Sequence, residues 1–466
     1  MKKRYIFLSM LLILAVLSSC EKDDGTYVAK DINQISVEIN EDNYVVSGKS
    51  ANIKAIEISQ SLNKDDKNLK YLWYSYVKSS SFNNNKIDTL GTEKDLTSKI
   101  ILKPGVYELR FRVTDVDTEV FWEAIGNLIV TSAYSEGLFI LNEQEEKSNV
   151  CFYNPGADVL VENAYQKSNE KPIEGNAKHL DVLYNGDIII GTDDKNYVCE
   201  NAFFKHTGDY STIFFEKPEV SNLQAVSNGD DAGSYLINDG ELHYRTRSNA
   251  KFYPAVHGIN NLSDFAMQSR ENVMVYDNER MKFMVFYEGD PVALSYDGEV
   301  KYDDYGKKLI FAQEGYAANF EPWDPVQQVY GIFHDVEADE YIYLVFDHRN
   351  NTRTLYEVVL NDTDLVRNAS DLAAAKEQPF SYFSSGSKVY RMTPGESDVT
   401  EVYEAPGDIE ALECFKDKIC VGYSSGSGKT GGITIHEIKE DGTLTGAVEK
   451  SNICGQITEI HYKEQK

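Results

Sequence analysis

Between residues 137 and 435 one short pattern keeps returning: an apolar run, a tight polar turn and a second apolar run. Gly137-Leu-Phe-Ile-Leu141 is answered by Asn149-Val-Cys-Phe-Tyr153, Asp187-Ile-Ile-Ile190 by Tyr197-Val-Cys199, and Val273-Met-Val-Tyr276 by Lys282-Phe-Met-Val-Phe286. Tyr235 to Arg245 holds such a pair around Asn238-Asp-Gly240, a strong signal for a tight hairpin turn. Three further pairs begin at Tyr341, Phe380 and Lys418. The first runs start near 138, 187, 235, 273, 341, 381 and 418, about 47 residues apart on average, which suits the blades of a propeller. Similar units closed in a ring cover one another's faces and leave only short edges. The pattern therefore predicts a β-propeller of about seven blades over residues 133–466, in which Gln456 to His461 completes the first blade and locks the ring. A stack of sandwiches or a β-helix is the alternative. Asp371-Leu-Ala-Ala-Ala-Lys-Glu377 is the one stretch that reads as a helix, an excursion between blades.

The 31 tyrosines and 21 phenylalanines, with almost no long helical periodicity, make the whole chain all-β. Residues 33–132 are short alternating strands. In Gly105 to Asp115, Tyr107, Leu109, Phe111 and Val113 share one face, while Glu108, Arg110 and Arg112 share the other, so one face is core and the other is wet. About 100 residues of this kind around Trp73 predict an immunoglobulin-like sandwich, with Trp73 and Trp122 in its core.

Met1-Lys2-Lys3-Arg4, the apolar run Tyr5 to Leu17 and the small residues Ser18-Ser19 read as a signal peptide over residues 1–19. The run is shorter than the roughly 17–25 residues a membrane-spanning helix needs. Leu17-Ser-Ser-Cys20 resembles the lipobox of bacterial lipoproteins, which implies acylation of Cys20. Glu21-Lys-Asp-Asp-Gly25, within an acidic tether over residues 20–32, resembles the export signal of Bacteroidota surface lipoproteins. The full chain carries a net charge of −29, and loss of Lys2, Lys3 and Arg4 takes it to −32. Such a surface repels nucleic acid, which is not expected as a partner. Five cysteines remain after Cys20, an odd and sparse set that is no disulfide framework. Cys414 and Cys420 lie symmetrically about Asp417, so a bridge across a hairpin and two buried thiols are both open.

Val421-Gly-Tyr-Ser-Ser-Gly-Ser-Gly-Lys-Thr-Gly-Gly432 matches a G-x-S-x-G elbow, a G-x-G-x-x-G loop and the end of a P-loop at once. All three work only where a helix leaves the glycine-rich turn and presents its amides to an anion. The segment leaving this turn is Ile433-Thr-Ile-His-Glu-Ile438, β-branched and largely alternating, so the stretch reads as a hairpin tip. Asp115-Val-Asp117-Thr-Glu119 and Asn228-Gly-Asp-Asp231 offer oxygen ligands to calcium but lack the EF-hand pattern. They read as solvated turns, and no metal or cofactor is expected. The best binding candidate is the connection Glu314 to Pro325, where Pro322 and Pro325 stiffen a segment holding Tyr316, Phe320 and Trp323. Aromatic rings on a stiff loop offer a platform to a sugar ring or an apolar peptide side chain; packing against a neighbouring blade is the plain alternative.

Trp73 in a central strand, followed by Lys103-Pro-Gly-Val-Tyr107 and a strand ending Val113-Thr-Asp115, resembles the polycystic-kidney-disease (PKD) type of sandwich. Lipobox, sandwich and Ser135-Glu-Gly-Leu-Phe-Ile-Leu-Asn-Glu143 in succession resemble the PKD-like lipoprotein family of Bacteroidota. The resemblance implies a surface-exposed outer-membrane lipoprotein, a non-enzymatic subunit that binds an oligosaccharide or peptide beside a TonB-dependent transporter and its companion lipoproteins. It brings no catalytic residues. The alternatives are a propeller glycoside hydrolase or lyase, with acids around the channel, and a purely structural envelope protein.

Overall fold

Residues with branched or aromatic side chains make strands where their faces can be covered, and most elements of this chain are strands. The computed structural model describes residues 31–62, 65–77, 87–144, 147–228, 233–269, 272–318, 326–348, 351–426 and 430–464. The chain divides into two compact units at Val130/Thr131. The expected signal peptide, the Cys20 anchor and most of the tether lie outside the described residues.

The first unit is the expected sandwich. A five-stranded sheet runs in the order Asp42–Val46, Phe121–Thr131, Gly105–Asp115, Leu69–Val77, Asp88–Gly91, and a second sheet pairs Ile35–Glu38 with Glu57–Gln60. Ile35, Trp73, Leu96, Leu109, Phe111 and Leu128 meet in one core, against which Trp122 also packs. Trp73 is fully buried and stacks on Phe111 with ring centroids 4.0 Å apart. Its indole N–H donates to the Glu93 carbonyl at 3.1 Å. Tyr107 donates its hydroxyl to the Lys103 carbonyl four residues upstream at 2.8 Å, the tyrosine corner of immunoglobulin-like sandwiches. On the wet face, Arg112 meets Glu123 at 2.7 Å and Arg110 meets Glu108 at 2.8 Å. Asp115, one of the calcium candidates, instead ties a turn: it accepts from Asn33 at 2.9 Å, from Asn68 at 3.1 Å and from the Asp117 and Thr118 amides.

The second unit is a propeller of seven blades, each one sheet. From axis to rim, blade 2 is Ala177–Val182, Ile188–Thr192, Asn196–Cys199 and His206–Gly208; blade 3 is Leu223–Asn228, Gly233–Asn238 and Glu241–Thr246. The innermost strands of blades 4 to 7 are Leu262–Ser269, Lys308–Ala318, Ala369–Ala374 and Asp408–Phe415. Blade 1 is built from both ends of the unit: Gln456–Lys463 is its innermost strand and pairs antiparallel with Gly137–Gln144, beyond which lie Lys147–Asn154 and Val159–Val161. The final strand thus closes the ring as expected.

Seven apolar cores alternate with the seven blades. Leu138, Ile140 and Cys151 of blade 1 meet Cys420, Ile433 and Ile435 of blade 7, and six equivalent clusters fill the other interfaces. A middle strand sends alternate side chains into two different cores, so both its faces are buried and it reads as a continuous apolar run; Ile188, Ile189 and Ile190 go to the blade 1, blade 3 and blade 1 sides in turn. Asn238-Asp-Gly240 makes the expected hairpin turn, with φ of 51° at Asp239 and 76° at Gly240. Both angles are positive, as a type I′ turn requires.

One expectation changes, and one open alternative is decided. Asp371 to Ala374 is strand, not helix, and forms the inner edge of blade 6. Alanine is the best helix former, but propensity is a small term that tertiary packing overrides, and here Ala373 and Ala374, both fully buried, fill two narrow spaces on either side of the blade near the axis. Cys414 and Cys420 are thiols and do not bridge. The register sets Cys414 opposite Ile419 and Cys420 opposite Glu413, so the two side chains enter different cores.

Candidate functional site

Each blade presents its innermost strand to the axis as a sheet edge, with backbone N–H groups that no further strand satisfies. Left unpaired in a closed ring, each such donor costs roughly 1–3 kcal/mol. Side chains from neighbouring blades cap them. Glu459 of blade 1 accepts the Leu180 N–H of blade 2 at 2.6 Å, and Asp181 of blade 2 accepts the Val226 N–H of blade 3 at 2.9 Å. Gln313 of blade 5 accepts from Ala374 of blade 6 at 2.6 Å, Asp371 of blade 6 from Leu412 of blade 7 at 2.7 Å, and Glu413 of blade 7 from Tyr462 of blade 1 at 2.9 Å. In these five the acceptor reaches to the next blade round the ring. Glu314 of blade 5 works in the other sense, accepting the Gln268 N–H of blade 4 at 3.2 Å. All seven inner strands carry a register irregularity, at Ala177/His179, Leu223/Ala225, Leu262/Ala266, Leu309/Phe311, Ala369/Asp371, Ile409/Ala411 and Ile457/Glu459. A bulge re-aims the side chains beside it, and several of the capping groups sit at or just after one.

The caps form one electrostatic cluster. His179 Nδ1 lies 2.9 Å from Glu459, its Nε2 lies 3.5 Å from Asp181, and His461 Nε2 lies 4.0 Å from the same Asp181. Burial acts to lower the His179 pKa, but the charges and bonds of Glu459 and Asp181 outweigh it and hold it well above the ordinary imidazole value. Burial acts to raise Asp181, yet its bond to His179 and the charge of His461 keep it below the usual carboxylate range. At Asp371 burial, with the charges of Glu459 and Glu413 behind it, pushes the pKa up to about 7 against the Leu412 and Leu372 amides. Glu314 is likewise pushed up to about 7 by burial, with Lys376 opposing. Protonated carboxyls and ionised carboxylates therefore share one site near neutral pH. Such a set can donate to and accept from hydroxyl groups, and it can hold a proton for transfer, although its oxygens are already bonded to backbone amides that close the ring.

Tyr316 lies within the inner strand of blade 5, half-buried against the core between blades 5 and 6. Glu314 to Ala318 is thus strand rather than connection, while Phe320 and Trp323 lie outside the described residues. The glycine-rich stretch is a hairpin, Ser425 pairing with Thr430, and strand Thr430–Ile438 leaves it. Ser427, Gly428 and Lys429 lie outside the described residues. Ser424 accepts the Ile457 N–H at 3.3 Å, and a Cβ on Gly422 would lie 2.6 Å from Ile460 Cδ1. The motif glycine makes room for the closing strand. Of the calcium candidate at 228–231, only Asn228 is described, and its side chain donates to the Val182 carbonyl at 2.6 Å.

The model of the PKD-like family matches residues 20–177, which take in the sandwich and the outer three strands of blade 1. The N-terminal unit is therefore PKD-like. A search of curated proteins finds no match. Among solved structures, the chain is similar to a quinonprotein alcohol dehydrogenase-like protein from Bacteroides thetaiotaomicron, with 13% identity over 93% of this chain and 100% of that one and a TM-score of 0.47. It is also similar to the computationally designed Ika8 protein (12% identity, 72% and 93% covered, TM-score 0.40) and to apo AztD from Citrobacter koseri (10% identity, 71% and 99% covered, TM-score 0.35). The propeller assignment rests on the sheet order of this chain itself.

Proposed function

We propose that the chain is a lipid-anchored accessory protein on the outer face of the outer membrane, which binds an oligosaccharide or peptide beside a TonB-dependent transporter and does not transform it. A PKD-like unit joined to a closed propeller is an architecture that fits a surface accessory or structural protein. The observation that carries the non-enzymatic reading is the capping ring: Glu459, Asp181, Asp371 and Glu413 each spend a carboxylate oxygen on a backbone N–H of the neighbouring blade. Carboxyl groups that hold the scaffold together are poorly placed to shuttle protons, because each proton moved would weaken a blade contact. The family match begins at Cys20, which is consistent with an anchor at that residue.

A glycosidase reading draws support from the mixed protonation of the same cluster, since such enzymes pair a carboxylic acid with a carboxylate. Glycan-array and peptide-library binding, with product analysis for each ligand found, separates the readings. Binding without turnover is expected; release of reducing ends or shortened glycans gives the role to an enzyme, and no ligand in either library leaves the structural role. For a confirmed ligand, Trp323→Ala is expected to weaken binding about tenfold, roughly 1.4 kcal/mol. Unchanged affinity removes Trp323 from the site. Mass spectrometry of the N-terminal peptide and protease shaving of intact cells check acylation of Cys20 and surface display.

A further inference from the structure

We propose that Cys151 and Cys454 are a disulfide-forming pair that converts the hydrogen-bonded closure of the propeller into a covalent one. Cys151 lies in strand Lys147–Asn154 of blade 1 and points into the core shared with blade 7, and Cys454 ends the outermost strand of blade 7, Leu444–Cys454, and packs against that same core. The two thiols lie close enough to perturb each other's titration, Cys151 shifting down and Cys454 up. Cys151 Sγ also lies 3.4 Å from the carbonyl of Ile453, the residue beside Cys454, and receives the Asn142 amide at 3.8 Å. Of the other buried thiols, Cys199 belongs to the core between blades 1 and 2 and Cys414 to that between blades 6 and 7; Cys420 shares the core of Cys151, but the charges that act on it are those of Glu413 and Cys414.

The position gives the pair its consequence. Directly after Cys454 the chain turns at Gly455, whose N–H donates to Asn142 at 3.1 Å, and enters the closing strand Gln456–Lys463. In the thiol form the ring is held shut by strand pairing, packing and side-chain hydrogen bonds such as that of Glu413 to the Tyr462 N–H. A bond from Cys454 to Cys151 ties the entry of that strand to the blade it must complete. Cys454 is partly exposed and Cys151 fully buried, which sets the order of events with a disulfide oxidant RS–SR such as oxidised glutathione. Cys454 sulfur attacks one sulfur of the oxidant, breaking its S–S bond and releasing the first RSH with the Cys454 proton. Cys151 sulfur then attacks Cys454 sulfur in the mixed disulfide, and the second RSH leaves with the Cys151 proton. Two electrons pass from the protein to the oxidant.

Equilibrating the purified full chain with oxidised glutathione, blocking remaining thiols with N-ethylmaleimide and mapping tryptic peptides tests this without reference to where the protein resides in the cell. The expected product joins the Cys151 and Cys454 peptides at two hydrogens below their summed mass, runs faster on a non-reducing gel, and leaves Cys199 alkylated. The oxidised wild type is also expected to unfold at a higher urea midpoint than the reduced form, a difference that Cys454→Ser abolishes. The proposal is overturned if both cysteines are recovered alkylated, if Cys454 stops at the glutathione adduct, or if the linked form and the thiol form unfold at the same midpoint.

Discussion

A double-mutant cycle at Gly422 and Ile460 tests whether the glycine-rich segment serves the closure of the ring. Gly422→Ala adds a methyl group 2.6 Å from Ile460 Cδ1, with Ile457 Cδ1 at 3.2 Å and Cγ2 at 3.3 Å. Overpacking of this kind costs about 1–3 kcal/mol, of which roughly 0.4–1 is returned by the stiffer unfolded chain. Ile460 is buried in the core between blades 7 and 1, and Ile460→Val deletes the very methyl that meets the new one, at a cost of about 1 kcal/mol when made alone. Combined, the two changes move a methyl across the interface without changing the volume of the core. The double variant should be about as stable as Ile460→Val alone, with a favourable coupling of about 1–2 kcal/mol. Equilibrium urea unfolding of the four proteins, monitored by far-ultraviolet circular dichroism, measures it. Ile125→Val, on an exposed face of the first unit, serves as the control and should change nothing beyond about 0.5 kcal/mol. Additivity within about 0.5 kcal/mol would refute the packing account, and Gly422 would then have to be explained by the loop it precedes.

Two titrations give further expected outcomes. Folded Asp371 keeps its proton up to about 7, whereas an unfolded aspartate releases it near ~3.9; the folded state binds more protons in that window, so this group's stability contribution is present at low pH and is lost as pH rises from about 4 to 7. Asp371→Asn should flatten the urea midpoint over that range, and an unchanged slope would count against the assignment. Lys463 is buried at the end of the closing strand, donating to the Tyr134 carbonyl at 2.8 Å and to the Asn201 carbonyl at 3.3 Å. Burial pulls its pKa down to about 8, below the unfolded ~10.4, so wild-type stability should rise between about pH 8 and 10 as the buried charge is lost, and Lys463→Met should lose that rise.

How legible a strand is in the sequence depends on where it lies in its blade. Ile188 to Ile190 and Val273 to Tyr276 are buried on both faces, so their apolar runs announce middle strands and set the spacing that gives seven blades. The inner strands have no such signature. Ala177-Lys-His-Leu-Asp-Val182 and Ala369-Ser-Asp-Leu-Ala-Ala374 mix small, charged and apolar residues because their polar side chains serve a neighbour's exposed backbone. Periodicity passes over them, and with them over the caps, the histidines and the whole candidate site. The one legible trace is an isolated carboxylate roughly five to ten residues before a strong strand, as with Asp181, Asp371 and Glu413. Gln456 to His461 is legible because closing a ring demands a strand at the end of the chain. Aromatic residues near a pair of prolines point to Tyr316 as a loop platform, yet it packs within blade 5.

Gly137–Gln144 leaves the ribosome about 310 residues before the strand that covers its inner edge. At roughly 5–20 residues per second that is a wait of about 15–60 seconds, during which six blades can assemble against a seventh that is only three strands deep. The bare edge is a template for any passing strand, including its equivalent on another nascent chain. A polypeptide clipped before Gln456 would keep that edge permanently uncovered, and would be less a weakened propeller than an adhesive one.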